Sequence, residues 1–203
     1  ASRGNWDYWV VKLDANGTKV WDKRFGGTKK DDCKSVVATS DGGYLLAGNS
    51  ESGKNGDKSE WTRGRHDYWA VKIDAAGGKV WDKSFGGTSD DICESIVATH
   101  EGGYLLSGYS WSAVNDDSSE GSRGLFDYWT VKIDADGTKV WDKSFGGNGW
   151  DWLTVAMSTP DGGYLLAGES NSTLNGDKSE VSRGGYDFWG GKIDADGNRL
   201  LDM

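Results

Sequence analysis

The sequence predicts an all-β repeat protein, and three observations lead to that prediction. The tripeptide Asp7-Tyr8-Trp9 returns every 60 residues without an insertion, beginning at Asp67, Asp127 and Asp187, the last time with Phe for Tyr. Short β-branched and aromatic runs alternate with Gly-rich turn signals. No window places apolar residues at helical spacing over three turns. A fixed period of this size indicates units that bury their apolar faces only by stacking on their neighbours.

Each full unit is expected to contain four strands. In the first full unit a β-branched run meets the turn signal Asp41-Gly42-Gly43, and Tyr44–Gly48 returns as its hairpin partner. A long polar stretch follows, and then two strands are joined by a turn at Ala75–Gly78. The four strands are predicted at 35–40, 44–48, 68–74 and 79–85.

The units form one repeat domain, 1–203, with an uneven count. A half unit at 7–27 holds only the last two strands, and full units follow at 28–87, 88–147 and 148–203. Four-stranded antiparallel units in series favour a β-propeller with one blade per unit. A β-trefoil or a β-prism is the alternative. Ala1 begins inside a repeat, so the chain is expected to be a processed or truncated piece.

The half unit predicts an exposed strand edge, because its first two strands are missing. Unpaired apolar edges invite association. Two chains of three and a half units would close a seven-bladed ring, so a homo-oligomer that completes the propeller is a candidate assembly.

A resemblance supports the propeller. The strings GGYLLAG, DYWVVKLDANG and KVWDKRFGG resemble repeats of many secreted and surface proteins of bacteria, notably Bacteroidetes and their relatives. LDANGTKVWDK is similar to the tryptophan-docking strand pair of quinoprotein-type propellers. The resemblance implies a propeller and an extracellular or cell-surface location, without a defined activity. Trp9, Trp21 and their counterparts match core positions of the family, whereas Leu201 replaces Trp in the last unit.

Composition narrows the possible partners. The chain has 12 Trp, 8 Tyr and 5 Phe with only 35% hydrophobic residues, so aromatic rings must supply much of the core. A net charge of −9 argues against nucleic acid and anionic membranes as partners. No long apolar run predicts a membrane-inserted segment or an uncleaved signal peptide. Cys33 and Cys93 hold equivalent repeat positions and are expected to be free, because equivalent positions in adjacent units lie too far apart for a disulfide.

A polar loop before the third strand of each unit is the candidate metal site. Asn, Asp and Ser alternate there and are followed by Glu, and hard cations such as Ca²⁺ take about six to eight oxygen ligands. The candidate ligands are Asn55, Asp57, Glu60, Asn115, Asp117, Glu120, Asn175, Asp177 and Glu180. The bidentate Glu of a calcium loop is absent at the twelfth position. The alternative is a network of Asx-turns in which these side chains bond loop backbone groups.

An Arg follows in the same loop, directly before Gly and four residues ahead of the repeated Asp. These pairs are Arg63 with Asp67, Arg123 with Asp127 and Arg183 with Asp187. They predict either structural ion pairs or a repeated pocket in which Arg and carboxylates grip hydroxyl groups of a ligand.

Aromatic residues that occur in one unit only are the strongest binding candidates, because the fold does not require them. They are Trp61, Tyr109, Trp111, Trp150 and Trp152. Large rings in loops suit stacking on sugar faces or filling a partner's pocket. Irregular packing between units is the alternative. A further ring position, held by Trp6, His66, Phe126 and Tyr186, is typical of packing.

Catalytic motifs are sparse. His66 and His100 are the only histidines, and neither lies in a nucleophile motif. The sequence therefore predicts a non-enzymatic, lectin-like module that binds glycans at repeated sites between blades or in loops, with Ca²⁺ as the candidate cofactor. The alternatives are a scaffold that binds a surface protein and a carboxylate-based glycoside hydrolase.

Overall fold

The computed structural model describes residues 3–114 and 117–202. Its strands form one two-stranded and three four-stranded antiparallel sheets, each built from consecutive strands. The half sheet contains β1 (Tyr8–Leu13) and β2 (Lys19–Phe25). The first sheet contains β3 (Asp31–Ala38), β4 (Tyr44–Ser50), β5 (Asp67–Ile73) and β6 (Lys79–Phe85). The second contains β7 (Asp91–Ala98), β8 (Tyr104–Ser110), β9 (Asp127–Ile133) and β10 (Lys139–Phe145). The third contains β11 (Asp151–Ser158), β12 (Tyr164–Ser170), β13 (Asp187–Ile193) and β14 (Arg199–Asp202).

Both turns predicted in the first full unit are present. Gly42 and Gly77 adopt φ of +83° and +81°, which costs glycine little and other residues more. The Asp that opens each turn accepts backbone hydrogen bonds, as when Asp74 Oδ1 accepts from Gly78 N at 2.8 Å. The first strand begins at Asp31, four residues earlier than predicted, because a register shift between Cys33 and Ser35 lets pairing with β4 continue through an irregular stretch.

Neighbouring sheets are joined by one recurring aromatic contact. The Tyr at the start of each third strand packs on the Trp of the next sheet, with ring centroids 4.8 Å apart for Tyr8 and Trp69. The Tyr hydroxyl also donates to the Trp carbonyl oxygen at 2.9 Å. The same pair of contacts recurs for Tyr68 with Trp129 and for Tyr128 with Trp189. Each sheet therefore depends on its neighbour for a buried face.

The fourth strand fastens the next sheet through its tryptophan. Trp21 Nε1 donates to the carbonyl oxygen of Ala75 at 3.2 Å, and Trp141 Nε1 donates to that of Ala195 at 3.3 Å. Leu201 holds this position in the third sheet and is exposed, so it offers no such donor.

The two ends of the array differ from its interior. Trp69 and Trp129 are 0% exposed, whereas Trp9 is 63% exposed, because no described sheet lies before the half sheet. The expectation that Trp9 is a core residue is therefore wrong for this chain. Phe188, which replaces the repeated Tyr, is likewise exposed.

The sheets do not close into a ring within the described residues. Cys33 is half-buried and Cys93 is buried, and both are free, as expected. In 3–114 and 117–202 there is no helix with the length and apolar character needed to cross a bilayer.

Candidate functional site

The long loops of the full units lie at one end of the sheets, together with the connections between sheets. Asp31 pairs with Ser50 in the strand register, and Ser50 pairs with Asp67. We call this side of the array the loop end. All predicted site residues lie on or near it, so it is the surface on which a site must be sought.

A buried aspartate at the start of each full unit organises the loop end. Asp91 accepts hydrogen bonds from Gly87 N at 2.6 Å and from the hydroxyls of Ser110 and Ser112. Burial nevertheless raises the pKa of Asp91 to about 6, because desolvation outweighs these bonds. Asp31 and Asp151 make corresponding bonds with backbone and serine groups. This network holds the strand starts in place.

The candidate metal ligands of the first full unit bond to backbone groups on different elements. Asn55 Oδ1 accepts from Thr28 N at 2.8 Å, and Asp57 Oδ2 accepts from Gly26 N at 3.2 Å. Glu60 Oε2 accepts from the backbone N–H of Ser84 at 2.8 Å.

The next two units follow the same scheme where it is described. Asp117, Glu120 and Asp177 accept from backbone N–H groups of the preceding strand or its end. Asn175 donates to Thr173 Oγ1, while Glu180 is exposed beside Arg183. Asn115 lies outside the described residues.

These contacts fit a turn network rather than a cation cage. Each oxygen already serves a donor, and the oxygens face separate partners. Among the described residues, no three His, Cys, Asp or Glu side chains are grouped as a metal site would need. We therefore derive no chemistry through a calcium ion.

The repeated arginines connect consecutive units. Arg63 forms an ion pair with Asp117 of the next unit, and Arg123 does the same with Asp177. Arg183 has no following unit in the described chain, and its side chain is 87% exposed, 3.8 Å from Glu180. The interior arginines are thus engaged in structure, which limits their use for a ligand.

The repeated aspartates have a local task in the same loops. Asp67 Oδ2 accepts from Arg63 N at 2.9 Å, and Asp127 Oδ2 accepts from Arg123 N at 2.8 Å. Asp187 accepts from Arg183 N. These carboxylates close the turn that leads into the third strand, and burial raises the pKa of Asp127 to about 6.

Sequence reasoning missed a buried lysine in this loop. Lys58 is buried, its Nζ donates to Ser84 Oγ, and it lies 5.7 Å from the centre of the Trp69 ring. Desolvation lowers the pKa of Lys58 to about 8. Lys178 repeats the arrangement over Trp189, whereas the middle unit has Ser118. The signal was a lysine at two of three equivalent positions.

The structure brings four of the five singular aromatics together at the junction of the second and third sheets. Two further rings complete the group, and we call these six side chains the aromatic cluster: Tyr109, Trp111, Phe126, Trp150, Trp152 and Tyr186. Phe126 lies at its centre, with ring centroids 5.3 Å from Tyr109 and from Trp150. Trp152 stacks on Tyr186 at 5.1 Å with an interplanar angle of 9°.

The cluster is packed at its centre and open at its rim. Phe126 is buried, whereas Trp111 is 47% and Tyr186 45% exposed. Trp61, the fifth singular aromatic, is 67% exposed and lies apart from the cluster, beside Gly53. The cluster therefore combines a fixed base with ring surface that a ligand can reach.

The preceding junction carries charges at the same register positions. His66 Nδ1 lies 2.7 Å from Asp90 Oδ1, and Nε2 lies 2.8 Å from Glu51 Oε1. Their counterparts 60 residues later are Phe126, Trp150 and Trp111. A three-residue ionic contact at one junction has thus become a three-ring contact at the next.

A small polar cavity adjoins this ionic contact. It has a volume of about 160 Å³ and is lined by Lys30, Asp32, Lys34, Asn49, His66, Ile92, Glu94 and Tyr109. Lys34 Nζ lies 3.1 Å from Asp32 Oδ2. Tyr109 borders both this cavity and the aromatic cluster, and burial raises its pKa to about 12.

Comparison with known proteins gives a fold likeness and one distant relative. No protein-family model matches the chain. It is 28% identical over 195 residues to the regulatory protein FlaEY of Caulobacter vibrioides, a match that covers 91% of this chain and 20% of that protein. The chain therefore spans about a fifth of the length of this relative. A crystal structure of a Bacteroides caccae protein of unknown function matches with a TM-score of 0.50 at 12% identity, over 100% of this chain and 56% of that one.

Proposed function

We propose that this chain is an extracellular, non-enzymatic binding module, and that the aromatic cluster binds carbohydrate. One observation carries the proposal: at matched positions of two junctions, an ionic contact is replaced by a cluster of six rings with two of them about half exposed. Since the same framework accommodates both versions, packing alone does not demand the rings.

Sugar recognition suits the chemistry of this surface. The apolar face of a pyranose ring packs on Trp or Tyr, while its hydroxyls require polar partners at the rim. Glu169 is exposed and lies opposite Trp152 in the strand register. Acceptors and ring faces thus occur side by side, as a hydroxyl-rich ligand needs.

We also propose that the sheets are blades of a β-propeller. Each sheet has four antiparallel strands, and each contacts the next through the same Tyr–Trp pair. The Trp21 hydrogen bond to Ala75 fits the tryptophan-docking resemblance. Membership in the secreted and surface repeat family, and with it the extracellular location, belong to the same proposal.

A glycan array tests the function directly. Wild-type protein, shown to be folded, is expected to bind a defined set of glycans, and Trp111→Ala and Tyr186→Ala are expected to weaken that binding about tenfold or more. Trp61→Ala is the matched control, because it removes an exposed ring outside the cluster. The absence of any glycan hit, or equal loss from the control, would contradict the proposal.

A protein-binding scaffold is the second candidate. The relative FlaEY bears the name regulatory protein, and clustered tryptophans also form hot spots between proteins. Capture of a specific protein that Trp111→Ala abolishes and free sugars do not compete would favour this role.

A further inference from the structure

The half sheet leaves one edge of β1 open. In each four-stranded sheet the third strand is central, with β5 pairing with both β4 and β6. β1 pairs with β2 on one side, and no strand in 3–114 and 117–202 pairs with its other side. An open edge presents a row of backbone donors and acceptors to any added strand.

Three occupied copies in the same molecule show what this edge fits. β1 reads YWVVKL and β5 reads YWAVKI. On β5 the register places Gly48 opposite Trp69 and Leu46 opposite Val71, and the same spacing recurs on β9 and β13. Transferred to β1, the incoming strand would place its Gly opposite Trp9 and its Tyr opposite Leu13.

Exposure of apolar side chains agrees with a missing partner. Val11 is exposed, whereas its counterpart Val71 is buried and shares a core cluster with Leu46. Trp9 is exposed where Trp69 is buried in that same cluster. The side chains that a β4-type strand covers in the first sheet are therefore the ones left uncovered in the half sheet.

A second copy of the chain does not supply this partner with the internal topology. The half sheets of two copies both offer the third and fourth strands, because β1 and β2 correspond to β5 and β6. The β3–β4, β7–β8 and β11–β12 hairpins of a folded copy are already paired within their own sheets. The occupant must instead be a hairpin that is not engaged elsewhere.

We propose that the open edge of β1 is an acceptor for a β-hairpin of the β3–β4 type, presented by a polypeptide of the same repeat class. The hairpin would add two strands and convert the half sheet into a four-stranded one, by the strand-addition mode of recognition. This proposal is independent of the glycan proposal, because it concerns the backbone of β1 rather than the aromatic cluster.

One glycine gives the proposal a specific signature. A Cβ added to Gly43 would lie 2.2 Å from the carbonyl oxygen of Ile73 on the neighbouring strand. Gly103 and Gly163 lie equally close to Ile133 and Ile193. A hairpin seated on β1 would bring this glycine against Leu13, so Ala there should prevent seating while the hairpin keeps its own turn.

The test uses the whole chain and a synthetic peptide of residues 31–50, which lacks Trp. Hydrogen exchange of the β1 amides is measured with the peptide and with the same peptide carrying Gly43→Ala. The wild-type peptide is expected to slow exchange over residues 8–13 about tenfold or more, and the variant peptide to have little effect. Equal protection by both peptides would overturn the proposal.

A fused version provides for a free hairpin that is only marginally structured. Residues 31–66 are joined directly ahead of Asp7, which reproduces the natural link into Asp67. Protection of β1 that depends on the glycine is expected. Failure of both peptide and fusion to protect β1 would refute the proposal, as would protection that rises with protein concentration alone, which would assign the edge to a second copy.

Discussion

The hydroxyl of Tyr68 donates a hydrogen bond to the carbonyl oxygen of Trp129 in the next sheet, at 2.9 Å. Tyr128 does the same to Trp189 at 2.8 Å. Both groups are buried, so removal of the donor leaves an acceptor without its partner. These bonds join neighbouring sheets, and their effect on stability is measurable.

Tyr128→Phe is expected to lower the free energy of unfolding by about 1–2 kcal/mol, the cost of an unsatisfied buried acceptor. Urea unfolding measures the change. Phe188→Tyr is the matched control, because it adds the hydroxyl at the equivalent position where no described sheet follows, and it should change stability by less than about 0.5 kcal/mol. An equal effect of both substitutions would show that the bond does not join sheets in solution.

Arg123→Gln should destabilise the chain by about 0.5–1.5 kcal/mol, because it breaks a half-exposed ion pair with Asp177 that links two units. Arg183→Gln removes the same charge where the described chain provides no following unit, and should be nearly neutral. The difference between the two variants, measured at low and at 0.5 M salt, should shrink as the salt screens the pair. A difference that persists at high salt would argue for packing as its source.

Stability should rise as pH falls from about 6 to about 4. Burial raises the pKa of Asp91 to about 6 from its ordinary 3.8, so the folded state binds this proton more tightly than the unfolded state. Its contribution is complete below the unfolded pKa and disappears as pH rises through the folded one, a change of about 2–3 kcal/mol.

Asp91→Asn should therefore flatten the pH dependence between pH 4 and 6, as followed by chemical unfolding. Asp41→Asn is the contrasting variant, since the hydrogen bonds from Lys72 and Thr39 lower the pKa of Asp41. That carboxylate contributes above its unfolded pKa and loses its contribution in acid. A wild-type curve that rises steadily from pH 4 to 6 would contradict the assignment to Asp91.

Gly103→Ala should cost about 2–4 kcal/mol, because its Cβ would lie 2.2 Å from the backbone carbonyl of Ile133. Gly185→Ala is the control, since its Cβ meets nothing within 4 Å, and it should be neutral. Thermal unfolding compares the two. Equal midpoints would show that the strand separation at Gly103 is wider than the structure gives.

Much of the fold follows from the residues alone. The 60-residue period, the turn at Asp41-Gly42-Gly43 and the β-branched strands predict four antiparallel strands per unit, and the structure confirms them. The start of β3 was predicted too late, because Asp31 pairs across a bulge that no residue pattern marks. Strand identity is a local property, whereas the extent of pairing depends on the partner strand.

The candidate site was only partly predictable. Trp111 and Trp152 stand out because they break the repeat, and that signal identified most of the aromatic cluster. It could not place Trp61 outside the cluster, because the sequence gives no distance between loops of different units. The opposite error affected Arg63, whose regular recurrence suggested a ligand pocket, while its partner Asp117 lies 54 residues away.

The exchange of His66 and its two carboxylates for Phe126 and its two indoles has an evolutionary consequence. The framework tolerates opposite chemistries at one position without a change of backbone length, so a substitution there alters what a junction recognises and leaves the scaffold intact. Specificity in such a chain is free to diversify one junction at a time.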